Sequence, residues 1–399
     1  MKKKRIIYLG EFRFPDGDAA AARVLGIGYA LQAIGYKVVF AGWEKNERIQ
    51  DRQADGAFMY EGFVYHSLNE FRTKNLGPFE RGFSYLFAGL KTLEWLKQQD
   101  LSDVRAIIAY HGRSLFLAKL HKFCLDNSIS LALDCTEWYE PSHLVGGKFG
   151  LVSIDNKIRM QIINKKIGNI IGISNYLCKY YSNNKCKTIK IPPLVNFYSN
   201  KWRKIDHNRH CQFLRIVYFG FPGKKDNLIN IFYGISILKK EGVYIEFNII
   251  GPTKVEISQK LDIPLPFIDS LADFIMFHGR IPQEEVPTFI SKFDFSIILR
   301  PVKRYSEAGF PTKLVESLAV GLPVIANKHG DIGDYIQDGI EGILIPDSSI
   351  ESFCMGVKRA TKLTKVERNQ MRKKAIDAAF KYFDFRNYLD PLTSFFESF

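Results

Sequence analysis

Long hydrophobic runs are missing from this 399-residue chain. No stretch approaches the ~18 uncharged apolar residues that a membrane-spanning helix needs, so any membrane contact is expected to be peripheral. Cysteine is scarce and scattered: Cys124, Cys135, Cys178, Cys186, Cys211 and Cys354 include no Cys-x-x-Cys pair and no partnering His spacing. That argues against a zinc site and a disulfide framework, and it fits a reducing cytoplasm. Acidic residues also run short, since 56 Lys and Arg face 42 Asp and Glu for a formal net charge of +14. Such an excess favours anionic partners, whether nucleotide phosphates, phospholipid headgroups or nucleic acid. Nucleic acid is the poorest fit, because the basic residues are dispersed and lack the aromatic interleaving of a single-strand groove. The start, Met1-Lys2-Lys3-Lys4-Arg5, has the charge of a signal peptide, but its apolar run stops at Leu9 and meets Glu11 and Arg13 too soon. It reads as a first strand.

What is present is ordinary globular material, 46% hydrophobic and 25% charged, in a length that exceeds one hydrophobic core. Apolar runs ending in Gly or polar turns alternate with helical stretches, the pattern of parallel sheets with crossover helices, so the class is α/β. The clearest runs in the first half are Arg5 to Gly10, Lys37 to Gly42, Val104 to Tyr110, Ile129 to Asp134 and Asn169 to Ser174. Helices fit at Ala19 to Ile34 and Ser114 to Asp126. A polar, aperiodic stretch then separates a second set of runs: Arg215 to Gly220, Ile245 to Gly251, Phe274 to Gly279, Asp294 to Arg300 and Pro323 to Ala326. The expected organisation is a first Rossmann-like domain over 1–195, a linker over 196–211 and a second such domain over 212–381. An aromatic-rich segment, 382–399, is expected to cross back onto the first domain.

In open parallel sheets ligands bind beyond the carboxyl ends of the strands. The most informative segment there runs from Arg300 to Glu316, where a strand exits into a loop and Ala308-Gly309-Phe310 leads into a helix with Pro311 suited to its first position. The unpaired amides of Thr312, Lys313 and Leu314, with the helix dipole, suit a diphosphate. Glu316, one turn on, can accept hydrogen bonds from two ribose hydroxyls. A second strand feeds the turn Gly220-Phe221-Pro222-Gly223-Lys224-Lys225-Asp226, whose small residues admit a ligand and whose lysines can neutralise phosphate.

Taken together, these segments resemble the retaining GT-B glycosyltransferases of glycosyltransferase family four, over nearly the whole chain and most strongly from Ile216 to Ile345. The likeness also rests on Ile173-Ser174-Asn175-Tyr176-Leu177, on Phe277-His278-Gly279-Arg280-Ile281-Pro282 with Glu285, and on Gly330-Asp331-Ile332-Gly333-Asp334 with Asp338-Gly339 and Gly342. Asp134-Cys135-Thr136-Glu137-Trp138, Gly223-Lys224-Lys225-Asp226 and Ala308 to Glu316 are similar to a branch associated with bacterial surface polysaccharides. The resemblance implies the GT-B fold, two Rossmann-like domains facing a central cleft. By position, Lys225 or Lys224 would meet the donor diphosphate, Glu316 the ribose, and the backbone around Gly279 and Arg280 the base. The amides from Gly309 and Phe310 to Leu314 would surround the phosphates, and Gly17 is the first-domain glycine close to them. Two departures stand out: Ala308 occupies the position of the family's first Glu, with Glu307 one place out of register, and Phe221 replaces an Arg. Arg300 is then the residue able to supply the missing charge, and Glu137 stands where relatives place a His, as a catalytic group or a holder of a sugar hydroxyl.

The implied activity is transfer of a sugar from a UDP- or GDP-sugar to a saccharide or lipid-linked saccharide acceptor, with the anomeric configuration retained and without metal or other cofactor. Asp16-Gly17-Asp18 has the spacing of an Asp-x-Asp metal motif but reads more simply as a loop. His111 either lines the acceptor side or caps the helix after it. The helix from Phe79 to Leu96 faces either a core or a membrane, and Lys358 to Lys374 is a solvated face or a patch for anionic lipid. The expected location is cytoplasmic, with the inner face of the cell membrane as a second site. An epimerase of the same fold and a nonenzymatic partner subunit are the competing functions.

Overall fold

The computed structural model describes residues 4–54, 56–70, 77–202, 213–223 and 225–398. The chain forms two α/β units, Met1–Leu194 with Phe385–Phe399, and Val195–Asp384. In the first, eight strands make one sheet: β1 (Arg5–Gly10), β2 (Lys37–Gly42), β3 (Phe58–Tyr60), β4 (Phe63–Ser67), β5 (Val104–Tyr110), β6 (Ser130–Cys135), β7 (Asn169–Gly172) and β8 (Lys187–Lys190), in the order β3-β4-β2-β1-β5-β6-β7-β8. All pairings are parallel except the β3/β4 hairpin. The central strands β1 and β5 are buried over almost their whole length. That is why they read as unbroken apolar runs instead of alternating ones.

Strand order reverses between β1 and β5, which opens a crevice at their carboxyl ends. Gly10 closes β1 there with φ of +134°, and a Cβ at this position would lie 2.1 Å from the Tyr110 carbonyl oxygen. Only glycine lets the two strand ends meet. The core on one face joins Tyr8, Phe40 and Phe63 to Leu392, Phe395 and Phe396 of the helix Leu389–Glu397. The stretch read as one helix from Phe79 to Leu96 is two, Pro78–Leu86 and Leu90–Lys97, parted at Gly89 with φ of +101°. The second of these buries Thr92, Leu93 and Leu96.

Among the described residues the second unit holds six strands, all parallel: β9 (Leu214–Phe219), β10 (Ile245–Ile250), β11 (Ile275–Gly279), β12 (Phe295–Ile298), β13 (Val324–Asn327) and β14 (Gly342–Ile345), in the order β11-β10-β9-β12-β13-β14. This is the doubly wound order of dinucleotide-binding sheets, with its switch point between β9 and β12. The expected linker is partly inside this unit. Val195 donates its amide to the Phe383 carbonyl at 2.7 Å, Phe197 stacks on Phe380, and Trp202 packs against a cluster containing Val217, Phe219 and Ile250. The remainder of that linker, 203–211, lies outside the described residues, and the return to the first unit falls at Asp384/Phe385 instead of 381/382.

The basic stretch Lys358 to Lys374 is not one free face. It spans the helices Ile350–Lys362 and Lys365–Phe383, and Lys358 pairs with Glu241 at 2.7 Å and Arg359 with Asp338 at 2.8 Å. Arg372 is buried and donates to the carbonyls of Gly321 and Phe293. Among the described residues no helix is long and apolar enough to cross a membrane.

Candidate active site

At the switch point of the second sheet, β9 is followed by Gly220 with φ of +91°, and the chain turns so that the Asp226 amide bonds the Gly223 carbonyl at 3.2 Å. Asp226 Oδ2 accepts the Tyr218 hydroxyl at 2.8 Å and the Lys313 ammonium at 2.8 Å. Lys313 Nζ also lies 3.9 Å above the centre of the Tyr218 ring. A Cβ on Gly220 would stand 3.3 Å from Lys313 Cε, so the glycine leaves room for this arm. Burial pulls the Lys313 ammonium below the ordinary lysine range, the Arg300 charge adds to this, and Asp226 opposes it. Burial would raise the Asp226 carboxyl, but Lys313, Arg300 and its two hydrogen bonds together hold it below the usual carboxylate value.

Lys313 belongs to the helix Thr312–Ala319, which has Pro311 at its N-cap, one place earlier than the expected first position, and no side-chain cap. The Leu314 amide donates to the Pro311 carbonyl at 2.9 Å. This spends one of the three amides expected for an anion, while those of Thr312 and Lys313 have no acceptor within the helix. Gly309 is extended, at φ −88° and ψ 172°, and links this helix to the preceding one, Arg304–Ala308. The Phe310 ring packs edge-on to Tyr335 and Phe383, so only its backbone is available to a ligand. Lys313 was expected at the site through its amide alone, and its side chain adds the pair with Asp226. The signal was there: a lysine in a first helical turn opposes the helix dipole.

Glu316 follows one turn later, half-buried, and burial raises its carboxyl above the usual range against the pull of Lys201 and then Lys313. Lys201 sits in the short helix Asn200–Trp202, inside the stretch read as linker. Arg300, buried just beyond β12, has its main chain stitched to β13. Its amide donates to Asn327 Oδ1 at 2.8 Å and its carbonyl accepts from Asn327 Nδ2 at 2.9 Å. Two residues on, His329 is buried, and its ring feels Glu307 and Arg300 with opposite sign. Burial, the largest influence, keeps the ring neutral to lower pH than a free histidine. Its Nε2 has no hydrogen-bond partner among the described residues. It was not among the residues expected at the site, although it lies three residues beyond a run read as a strand.

As the last residue of β11, Gly279 has φ of +67° with open space where a Cβ would be, and its carbonyl accepts the Gly251 amide at 2.8 Å. The Arg280 guanidinium turns to Glu256 at 2.7 Å on the surface, which leaves its backbone for the expected role. Lys225 is half-buried in the turn after β9, and Lys224 lies outside the described residues.

The first unit carries the remaining predicted residues. Gly17, at φ +117°, lies in the loop after β1, where a Cβ would crowd Arg13 Cδ at 2.9 Å. Its neighbours are structural: Asp18 caps the helix Ala19–Ala33 through the Ala21 amide at 2.8 Å, and Asp16 pairs with Arg48 at 2.6 Å. Glu137, half-buried two residues beyond β6, helps raise the Tyr139 and Tyr110 phenols, both dominated by burial. His111, after β5, has φ of +54°. Its Nδ1 lies 3.0 Å from Arg159 Nη1 and its Nε2 2.5 Å from Thr136 Oγ1. A guanidinium can only donate, so Nδ1 accepts, the ring is neutral and Nε2–H points to Thr136. It does not cap the following helix, because Asp155 Oδ1 takes the Ser114 amide at 3.0 Å. Arg159 opens a π-helical stretch, Arg159–Ile163.

Residues 269–380, the part of the second unit carrying Arg300, Lys313, Glu316 and His329, match the family described as glycosyl transferases group 1. The amylovoran biosynthesis glycosyltransferase AmsK of Erwinia amylovora is 32% identical over 120 residues, 29% of this chain and 28% of that protein. The match thus spans less than a third of either. Sucrose-phosphate synthase of Thermosynechococcus elongatus superposes with a TM-score of 0.74 at 13% identity, over 99% of this chain and 98% of that one. Anabaena Alr3699/HepE in complex with UDP and glucose gives 0.67 at 12% identity, over 99% and 100%. The fold is that of the GT-B glycosyltransferases, two Rossmann-like units built on parallel sheets.

Proposed function

We propose that the chain is a retaining glycosyltransferase that moves a sugar from a UDP- or GDP-sugar to a saccharide or lipid-linked saccharide acceptor in the synthesis of a bacterial surface polysaccharide. One observation carries the reading most: at the β9/β12 switch point an uncapped helix N-terminus, a lysine held by Asp226 and Tyr218, and a carboxylate one turn on stand in one segment. That segment lies where the family match falls. The polysaccharide assignment is supported by the amylovoran biosynthesis for which the Erwinia relative is named, and the nucleotide by the UDP bound to the Anabaena protein.

In this reading the donor diphosphate lies on the free amides of Thr312 and Lys313, with the backbone of Gly309 and Phe310 beside it. Lys225, with Lys224 as alternate, and Arg300 supply cationic charge as the anomeric carbon–oxygen bond breaks. Lys313, already neutralised by Asp226, fixes the shape of the turn carrying Lys225. Glu316 takes the ribose hydroxyls, and the backbone at Gly279 and Arg280 takes the base. The acceptor hydroxyl attacks from the leaving-group side, its oxygen bonds the anomeric carbon, and its proton passes to a donor phosphate oxygen. No protein base is obligatory. His111, locked neutral between Arg159 and Thr136, is suited to positioning rather than proton transfer.

The deciding experiment is a thermal-shift panel of UDP, GDP and their sugars, followed by donor turnover, since a ligand bound only to the native state raises its melting temperature. Stabilisation by one nucleotide and release of it from its sugar are expected. Binding without any hydrolysis or transfer would favour the nonenzymatic subunit, and interconversion of the sugar nucleotide would favour the epimerase.

A further inference from the structure

We propose that the first unit docks on an anionic phospholipid bilayer through the loop and helix spanning 144–162. The loop tip carries Val145 and Phe149, which are 89% and 85% exposed although both are apolar. The glycines around them, Gly146 at φ +79° and Gly147 at φ +59°, fold the tip into a tight turn that holds both outward. The helix Leu151–Ile158 and its π-helical extension bury Ser153, Asp155, Asn156, Arg159 and Met160. Their opposite side presents Leu151, Ile154, Ile158 and Ile162 at steps of three, four and four, the spacing of one helix stripe. An amphipathic helix of a soluble unit normally turns that stripe inward; here it points to water.

The stripe continues onto the neighbouring helix Pro78–Leu86. A Cβ on Gly82 would lie 3.7 Å from Leu151, and Tyr85 donates to Asp155 at 3.0 Å. Phe83 of that helix, 66% exposed, stacks on Phe87 with centroids 5.5 Å apart. Charge selects the occupant. Every exposed ionisable side chain between 141 and 166 is a lysine, namely Lys148, Lys157 and Lys166, while the single acid of this stretch, Asp155, is buried. A second copy meeting this face about a two-fold axis would bring those three lysines together, with Glu80 of the helix Pro78–Leu86 the one exposed acid to answer them. An anionic headgroup layer answers all three, and protruding side chains, unlike a groove, suit insertion at the acyl boundary. This rests on the transferase reading only for what the surface approaches, a lipid-linked acceptor.

The test is flotation of the full chain with vesicles of phosphatidylcholine alone and of phosphatidylcholine containing roughly one-third phosphatidylglycerol. Binding is expected on the anionic vesicles, weakened by salt. The pair Val145→Ser and Phe149→Ser should lower it by about tenfold or more, and Lys148→Gln or Lys157→Gln by about fivefold each. All four side chains are exposed, so the nucleotide-induced thermal shift should not change; that shift reports the second-unit reading independently. Absence of binding to anionic vesicles, equal binding to neutral ones, or a concentration-dependent dimer abolished by the same substitutions would overturn the proposal.

Discussion

Replacing Lys313 by Met separates what the Lys313–Asp226 pair does for the fold from what the helix does for a ligand. The substitution keeps the length of the arm but strands Asp226, whose carboxylate then keeps the Tyr218 hydroxyl and the more distant charge of Arg300. Removing one partner of a fully buried pair costs about 3–5 kcal/mol. The Lys313 and Asp226 side chains retain 16% and 13% exposure, and the contact of the ammonium with the Tyr218 ring is replaced by thioether packing. A cost of about 2–4 kcal/mol is therefore appropriate here. At about 2–4 °C per kcal/mol for a unit of this size, the melting temperature should fall by about 4–16 °C. Adding Asp226→Asn removes the stranded charge, and the double variant should regain most of the loss. Its affinity for UDP or GDP, followed by calorimetry, should stay at least about tenfold weaker than that of the unaltered protein, because the turn bearing Lys225 has lost its anchor. A single variant within about 2 °C of the parent, or a double variant that binds nucleotide normally, would refute this reasoning.

Other substitutions report on the neighbouring groups. Glu316→Gln should raise the melting temperature near pH 7 while weakening nucleotide binding by about tenfold. The sign follows from the raised carboxyl: the charged form is disfavoured in the fold, so the gain should fade as pH falls towards about 4.5, below which Glu316 is protonated in both states. Unchanged nucleotide affinity would remove the ribose role. Lys225→Ala should cut turnover by ~10²-fold if its charge supports the departing diphosphate, and near-parental rates would reassign that task to Arg300. For His329, held neutral below its ordinary value, the unfolded chain takes up a proton near pH 6.5 while the fold does not. Its contribution to stability is thus present above that pH and lost as pH falls, so His329→Gln should flatten the decline of melting temperature between about pH 7 and pH 5.

Much of the fold was legible because the central strands are buried on both faces. Arg5–Gly10, Lys37–Gly42 and Val104–Tyr110 appear in the structure with the bounds their apolar runs suggested. The strands that escaped notice lie towards or at the sheet edges: Lys187–Lys190 is half lysine, Phe58–Tyr60 with Phe63–Ser67 is a short hairpin, and Gly342–Ile345, though apolar, is four residues long. At the site, the helix start and Glu316 could be read because a helix N-terminus is a local pattern. Lys313 reaching back to Asp226, Lys201 acting on Glu316 and Asn327 pinning Arg300 join residues 87, 115 and 27 positions apart. Those pairings exist only once the sheet order has set the strand ends side by side. The helix break at Gly89 is of the same kind, since what a side chain there would strike is the ring of Phe116, at 2.3 Å.

The first unit is assembled from two pieces of chain with the 190 residues of Val195–Asp384 between them. During synthesis the second unit, one unbroken stretch, can close its core as soon as it emerges, whereas the first must wait with its apolar floor uncovered until Leu392, Phe395 and Phe396 arrive. Shortening the chain before Phe385 would accordingly spare the half that bears Lys313 and Glu316. The half left sticky and prone to chaperone capture would be the one made earliest.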